Sequence, residues 1–185
     1  MNLIIALSGA PGVGKDTTAD VIQRLFPGRF QRVRFAKPLI DMVKALDPDF
    51  ENYDDREFKS KIAHPIWWFH KGEDLKRPTN RQVLNMVANK MKAINPYIFA
   101  ESSLNPYLYT KQDLIVSDLR YEVENDVLNR MYNHKVVRIC LYRDTGDKSD
   151  YSFDTDLQEK DFDHILDCSD AVNLADTLAR LIKTI

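Results

Sequence analysis

Three glycines, a lysine and a short polar run fall together near the start of the chain: Gly9-Ala10-Pro11-Gly12-Val13-Gly14-Lys15-Asp16-Thr17-Thr18. Glycine lacks the Cβ that would keep successive backbone N–H groups from turning inward around an anion. Lys15 adds a full positive charge where the β- and γ-phosphates of a nucleotide would lie. The chemistry that suits this set is capture of a polyphosphate. It requires a strand in front and a helix behind, and both are legible. Leu3 to Leu7 is an apolar run of strand length. From Lys15 onward, Thr18, Val21, Ile22, Leu25 and Phe26 recur at three- and four-residue spacing, which predicts a helix with one buried face. The start of that helix aims free N–H groups and a positive dipole end at the glycines.

Gly9, Gly14 and Lys15 fit the P-loop pattern G-x-x-x-x-G-K-[ST], and the residues from Gly9 to Thr18 are the candidate nucleotide-binding set. The slot after the lysine, which usually gives a hydroxyl to Mg²⁺, holds Asp16, and a threonine follows at 17. Asp16 or Thr17 therefore competes for the metal. A glycine-rich turn can also be a tight connection without a ligand, but the strand, the helix and the lysine in register argue against that. Further on, Leu114 to Asp118 predicts a buried strand with a carboxylate at its carboxyl end, the placement of an acid that holds Mg²⁺ or its waters. Asp118 could instead cap the next helix. Arg120 has the planar fork that grips a phosphate bidentately, or it could pair with Glu122 or Glu124. Arg34, Lys37 and Arg81 are weaker cationic candidates.

The chain has 185 residues and a formal charge of −2, enough for one domain with a full core and no sign of a nucleic-acid or membrane-surface protein. Its two cysteines, Cys140 and Cys168, make no disulfide framework, and no apolar run reaches membrane-spanning length. Met1-Asn2 and a short strand do not resemble a secretion signal, so a soluble cytoplasmic enzyme is expected.

Strand-like segments at 30–35, 114–118, 136–142 and 164–168 alternate with helical ones. Pro38 opens a helix through Leu46, and Thr79-x-x-Gln82 is a capping box for a helix ended by Asn95-Pro96. Short helices are expected over 97–104 and 122–132, and a terminal one through Leu174, Leu178 and Ile182. Residues 49–78 are hard to read. The aromatic and cationic cluster Ile66-Trp67-Trp68-Phe69, with His64, His70, Lys71, Lys76 and Arg77, reads as packing in preference to base stacking, and His64 and His70 have no partners for a zinc site. The alternation predicts an α/β fold: a central parallel sheet of about five strands, helices on both faces, no second domain. Ligands then bind beyond the carboxyl ends of the strands, where Asp118, Arg120 and Arg143 meet the glycine cradle.

Gly14-Lys15-Asp16-Thr17-Thr18-Ala19-Asp20 resembles the P-loop of bacteriophage-type deoxynucleoside monophosphate kinases, in which an Asp also follows the lysine. Val116-Ser117-Asp118-Leu119-Arg120, with Glu124 beyond, is similar to that family's Asp-x-Arg segment. Phe35 to Asp41 resembles its segment after the second strand, Arg81 falls where it has an arginine on the nucleotide-binding helix, and the Arg143 segment looks like the start of its lid. The resemblance implies a three-layer P-loop kinase fold, with nucleotide-binding helices within 37–105 and a lid within 143–163. It implies transfer of the ATP γ-phosphate to a deoxynucleoside monophosphate with Mg²⁺, in a host cytoplasm if the gene is viral, and leaves a homodimer open. In that reading Lys15, Asp118, Arg120 and Arg143 are catalytic, Asp16, Thr17 and Asp118 serve the metal, and Arg34, Lys37, Arg81, Arg120 and Glu124 serve the acceptor. Asn85 and Ala88 stand where the family has a glutamine and a glycine, and the stretch from Asp144 to Asp163 is rich in aspartate.

Three other readings stay open. One is a kinase of another phosphorylated metabolite, of the dephospho-coenzyme A type. The second is a nucleotide-binding regulatory ATPase, and the third an inactive binding protein.

Overall fold

The computed structural model describes residues 2–50, 55–143 and 156–185. In chain order they form β1 (Asn2–Gly9), α1 (Lys15–Leu25), β2 (Phe30–Val33), α2 (Lys37–Leu46), α3 (Arg56–Ser60), β3 (Phe69–Lys71), β4 (Asp74–Lys76), α4 (Asn80–Ile94), α5 (Ile98–Leu104), β5 (Asp113–Val116), α6 (Glu122–Asn129), β6 (His134–Tyr142), β7 (His164–Asp167) and α7 (Ala171–Thr184). Two compact units emerge, one of residues 1–35 with 100–185, the other of residues 36–99.

The first unit is a five-stranded parallel sheet in the order β2-β5-β1-β6-β7, flanked by helices. β1 is central, and Leu3 to Leu7 are all buried, as a strand covered on both faces must be. Its odd-numbered residues Leu3, Ile5 and Leu7 share one core with Ala19 and Ile22 of α1, Val137, Ile139 and Leu141 of β6, and Leu174, Leu178 and Ile182 of α7. The three- and four-residue spacing of the two helices thus meets the two-residue spacing of the strands, and α1 packs on α7. Chain order against sheet order places the reversal beside β1, where an open parallel sheet leaves a crevice.

The second unit packs α2 and α3 on α4. Its small core is Val43, Phe50, Ala63 and Val83, with Leu39, Phe58, Trp67, Leu84 and Val87 against it. The capping box forms as the sequence predicts: Gln82 N donates to Thr79 Oγ1 at 3.3 Å, and Thr79 N to Gln82 Oε1 at 2.8 Å. Residues 55–78 hold structure that periodicity did not reveal, because the pieces are too short to show a period. α3 has five residues, and β3 and β4 have three each, joined as an antiparallel hairpin. Trp67 packs inward and donates from Nε1 to Asp47 Oδ2 at 2.9 Å.

Several boundaries differ from expectation, among them those of β2 and α6. β2 stops at Val33, because Phe35 N turns to a side-chain carboxylate and leaves the strand ladder. α6 stops at Asn129, three residues early, where the N–H of Arg130 turns back in tight bonds to Val127 and Leu128. Of the expected lid, residues 144–155 lie outside the described residues. In the remainder, Leu157 is buried and Glu159–Asp161 form one 3-10 turn. Among the described residues no helix is long and apolar enough to cross a membrane.

Candidate functional site

β1 runs directly into the glycine-rich loop. Gly9, Gly12 and Gly14 have φ of 133°, 80° and 116°, a region that side chains with a Cβ rarely adopt. At Gly9 the requirement is doubled, since a Cβ would lie 2.3 Å from the carbonyl oxygen of Leu141 on the neighbouring strand. Val13 N closes the turn onto Ala10 O at 3.2 Å, and Thr18 N makes the first helical bond to Gly14 O at 2.8 Å. Gly14 is the N-cap of α1 and offers no side-chain acceptor. The first-turn N–H groups are therefore available to an anion.

Lys15 is buried at 8 % exposure and curls back so that Nζ donates to Gly9 O at 2.7 Å and Ala10 O at 2.9 Å. Two of its three N–H bonds fix it to the loop, which leaves one to point elsewhere. Burial pushes its pKa below the ordinary 10.5, and the nearby Arg120 pushes the same way, while Asp16, Asp118 and Cys140 act against them. A cation held out of water beside another cation is a place where an anion is strongly stabilised.

Asp118 lies two residues past β5. Ser117 N bonds Val33 O at 3.2 Å and Leu119 N bonds Leu7 O at 3.1 Å, so this segment threads between β2 and β1 and brings Asp118 beside the cradle. Asp118 Oδ1 accepts from Phe35 N at 2.8 Å. It does not cap α6. Glu124 serves that end, its Oε2 accepting from Arg120 N at 2.7 Å and Tyr121 N at 3.0 Å. The same bonds occupy the buried Glu124 carboxylate with the main chain of Arg120. Among the described residues the Arg120 guanidinium has no ion pair, with Glu122, Glu124 or any other acid.

Arg143 follows β6 by one residue, and its Nε donates to Val13 O at 3.0 Å, across the loop. Its Nη2 lies 3.5 Å from where a Cβ on Gly14 would be. Asp16 is exposed, and its Oδ1 accepts from Arg34 at 3.0 Å and from Arg32. Arg32 also bonds Asp20 at 2.9 Å and Ser117 Oγ at 3.3 Å. Thr17 is exposed and Thr18 buried. Lys37 and Arg81 belong to the second unit, where Lys37 pairs with Asp41 one turn on at 2.6 Å and Arg81 is exposed on α4.

Sequence reasoning missed Arg32 and Cys168. The signal for Arg32 was present: Asp16 and Asp20 share a helix face, and Arg32 and Arg34 alternate in the segment that reads as a strand. Cys168 left no such trace. Its thiol lies within reach of Val13 O at 3.1 Å and Tyr142 O at 2.9 Å, bracing the loop from below. Cys140 is buried beside it, and burial pushes its thiol up to about 11.

No known protein family matches the sequence, and no curated protein is detectably similar in sequence. Solved structures match in shape. A protein assigned as a kinase from Chloroflexus aurantiacus superposes with a TM-score of 0.52 at 9 % identity, covering 99 % of this chain and 94 % of that one. Dephospho-CoA kinase from Campylobacter jejuni superposes with a TM-score of 0.51 at 13 % identity, covering 99 % and 96 %. At these identities the likeness is one of fold. The chain has the α/β fold of these kinases, a five-stranded parallel sheet flanked by helices.

Proposed function

We propose that the chain transfers the γ-phosphoryl group of ATP to a (deoxy)nucleoside monophosphate, yielding ADP and the nucleoside diphosphate. One observation carries this reading: the Arg120 guanidinium, without an ion pair among the described residues, lies near the buried Lys15 in front of a glycine cradle. A site for one nucleotide alone needs the cradle and the lysine. The second cation fits a second phosphate.

In this reading the loop N–H groups and Lys15 hold the β- and γ-phosphates. Arg120 takes the acceptor phosphate, oriented by Glu124 through its own main chain. An acceptor phosphate oxygen, already ionised, attacks the γ-phosphorus, and the bond from that phosphorus to the bridging oxygen breaks, so ADP leaves with the electron pair. No general base is needed, and the demand on the protein is position and positive charge. Arg143, lying over the loop, adds charge as it spreads during transfer.

The residues also fit Mg²⁺. Among the described residues no three His, Cys, Asp or Glu side chains gather to hold a metal by themselves, and Mg²⁺ needs only one or two oxygens besides phosphate. Asp118 and Thr17 would supply those oxygens. Asp16 is committed to Arg32 and Arg34. Held there, the ion would supply positive charge to the transferring phosphate.

The dephospho-CoA kinase neighbour favours a second reading, a phosphorylated metabolite of that type as acceptor, about as well. A coupled ADP-release assay across deoxy- and ribonucleoside monophosphates and dephospho-coenzyme A separates the two. Stimulation by a monophosphate supports the first, and by dephospho-coenzyme A alone the second. Slow hydrolysis that no acceptor stimulates replaces both with a regulatory ATPase.

A further inference from the structure

The second unit holds a cavity of about 550 Å³ between the β3–β4 hairpin and α4, a volume within the range of small-molecule pockets. Its walls come from two elements with matching periodicities. Phe69 and Lys71 are two apart on β3, and Lys76 lies directly opposite Phe69 in the hairpin register, so all three share one face. Gln82, Asn85, Met86 and Asn89 of α4 stand at i, i+3, i+4 and i+7, facing them. Arg77 and Pro78 close the join.

The lining divides by chemistry. Lys71, Lys76 and Arg77 bring three cations, and among the described residues no carboxylate lines the cavity. Asp74, opposite Lys71 in the hairpin and so on the same face, pairs with Lys76 at 2.9 Å at the edge of the lining. Arg77 is held in place over the Trp68 ring, 4.7 Å from its centroid. Phe69 and Met86 expose 38 % and 42 % of their surface, an apolar area left open among the described residues. Asn85, Gln82 and Asn89 supply carboxamides, which both donate and accept. The aromatic segment is therefore split: Trp67 packs into the core, while Phe69 faces the cations.

We propose that this cavity binds a mononucleotide, a planar heterocycle lying on Phe69 and Met86 with its edge on the α4 carboxamides and its phosphate among Lys71, Lys76 and Arg77. Each half of the lining meets one half of that ligand. Arg81 is not in the lining. At 100° per residue, the face centred between Asn85 and Met86 stands a quarter turn from it, so the cavity is separate from the face Arg81 marks. The inference stands apart from the P-loop chemistry: the acceptor phosphate belongs to Arg120, and the ligand here is an effector nucleotide.

Neither of the chain's two tryptophans lines the cavity, but Trp68 carries Arg77, which does. Intrinsic fluorescence is thus a built-in reporter that requires no turnover. The full chain is titrated with each deoxynucleoside monophosphate, and with deoxyadenosine and pyrophosphate as half-ligands. The expected result is a saturable change with a monophosphate, present also in Lys15→Ala. It should weaken at least about tenfold in Lys71→Glu and in Phe69→Ala, be largely kept in Phe69→Tyr, and be at least about tenfold weaker for either half-ligand. Circular dichroism confirms that each variant is folded, and Lys71→Gln replaces any that is not. Loss of the signal in Lys15→Ala assigns it to the P-loop and overturns the proposal. So does unchanged affinity in Lys71→Glu, or a thymidine oligonucleotide binding at least tenfold tighter than any monophosphate. Expected behaviour without phosphoryl transfer sinks the proposed reaction and leaves this site standing. Acceptor KM in Phe69→Ala gives the last check: an unchanged KM supports an effector site, and a rise assigns the cavity to the acceptor and overturns it.

Discussion

The sheet unit and the 36–99 unit handle polar chemistry in opposite ways. In the sheet unit five parallel strands fix the backbone, and the polar groups at their carboxyl ends are placed by main-chain bonds: Ser117 to Val33, Leu119 to Leu7, Phe35 to Asp118. A charged group there can be buried, as Lys15 is, because carbonyls of a rigid loop meet it. In the other unit the core is four buried residues, and the hairpin beside it exposes all three residues of β3. Its cations stay in water and are placed by neighbours such as Asp74 and Trp68. The lesson is that backbone rigidity decides whether a cation can be desolvated, and a desolvated cation acts more strongly on phosphate.

Hydrogen exchange tests that contrast most severely. Amides of β1 and β5, buried in the middle of the sheet, should open only with global unfolding. Those of β3 and β4, in a hairpin of three residues per strand, should open locally. With a typical global stability of 5–15 kcal/mol the ratio of protection should be at least about a thousandfold. Comparable protection in residues 69–76 would show that the hairpin is part of one cooperative structure, and the contrast would fail.

The next largest effect is at Lys15. Lys15→Ala should keep the fold and lower transfer by at least about a hundredfold, by analogy with the loss of one preorganised donor from an active site. Normal turnover in a folded Lys15→Ala protein would mean that the buried lysine is structural.

Much of this contrast was legible in the sequence, for the same physical reason that it exists. Leu3 to Leu7, Leu114 to Val116 and the apolar stripe of α7 are long enough to show their period, and the parallel sheet follows from their alternation. Gly9, Gly14 and Lys15 are a local pattern whose chemistry needs no tertiary knowledge. The hairpin was illegible because three-residue strands exposed to water carry no period. The pairing of Asp16 with Arg32 and Arg34, and the bracing of Val13 by Cys168, depend on residues 16 to 155 positions apart. At Asp16 only its place in the motif was visible, and the two arginines that meet its carboxylate were not.

A smaller effect separates donor from acceptor within the sheet unit. A bidentate charged contact is worth about 1.5–3 kcal/mol, so Arg120→Ala should raise acceptor KM roughly ten- to a hundredfold and leave that of ATP nearly unchanged. Lysine at 120 should rescue only in part, since it lacks the planar fork. Arg143→Ala should lower kcat with smaller effects on either KM. Two-substrate kinetics decide the matter. Weakened ATP with a spared acceptor in Arg120→Ala would place Arg120 on the donor side.

The smallest effect is on stability, and its sign is specific. Burial, helped by Arg120, lowers the Lys15 pKa below 10.5, so between its folded value and 10.5 the unfolded chain binds more protons than the folded one. Stability from this group therefore rises with pH in that window, and the charged lysine costs stability at neutral pH. Cys140 works the other way. Its thiol is pushed from 9.0 to about 11, so the unfolded chain loses that proton first, and the contribution present below 9.0 is lost as pH rises through 11. Lys15→Gln isolates the first slope: the stability of the wild-type chain relative to the variant should improve as pH climbs toward 10.5. Urea denaturation of both proteins at several alkaline pH values measures it. Pyrophosphate should flatten the slope, because an anion in the cradle restores the lysine's affinity for its proton. A difference that stays constant with pH, or one that pyrophosphate does not change, would mean that Lys15 is not desolvated, and the distinction between the buried cation of the sheet unit and the solvated ones of residues 36–99 would lose its physical basis.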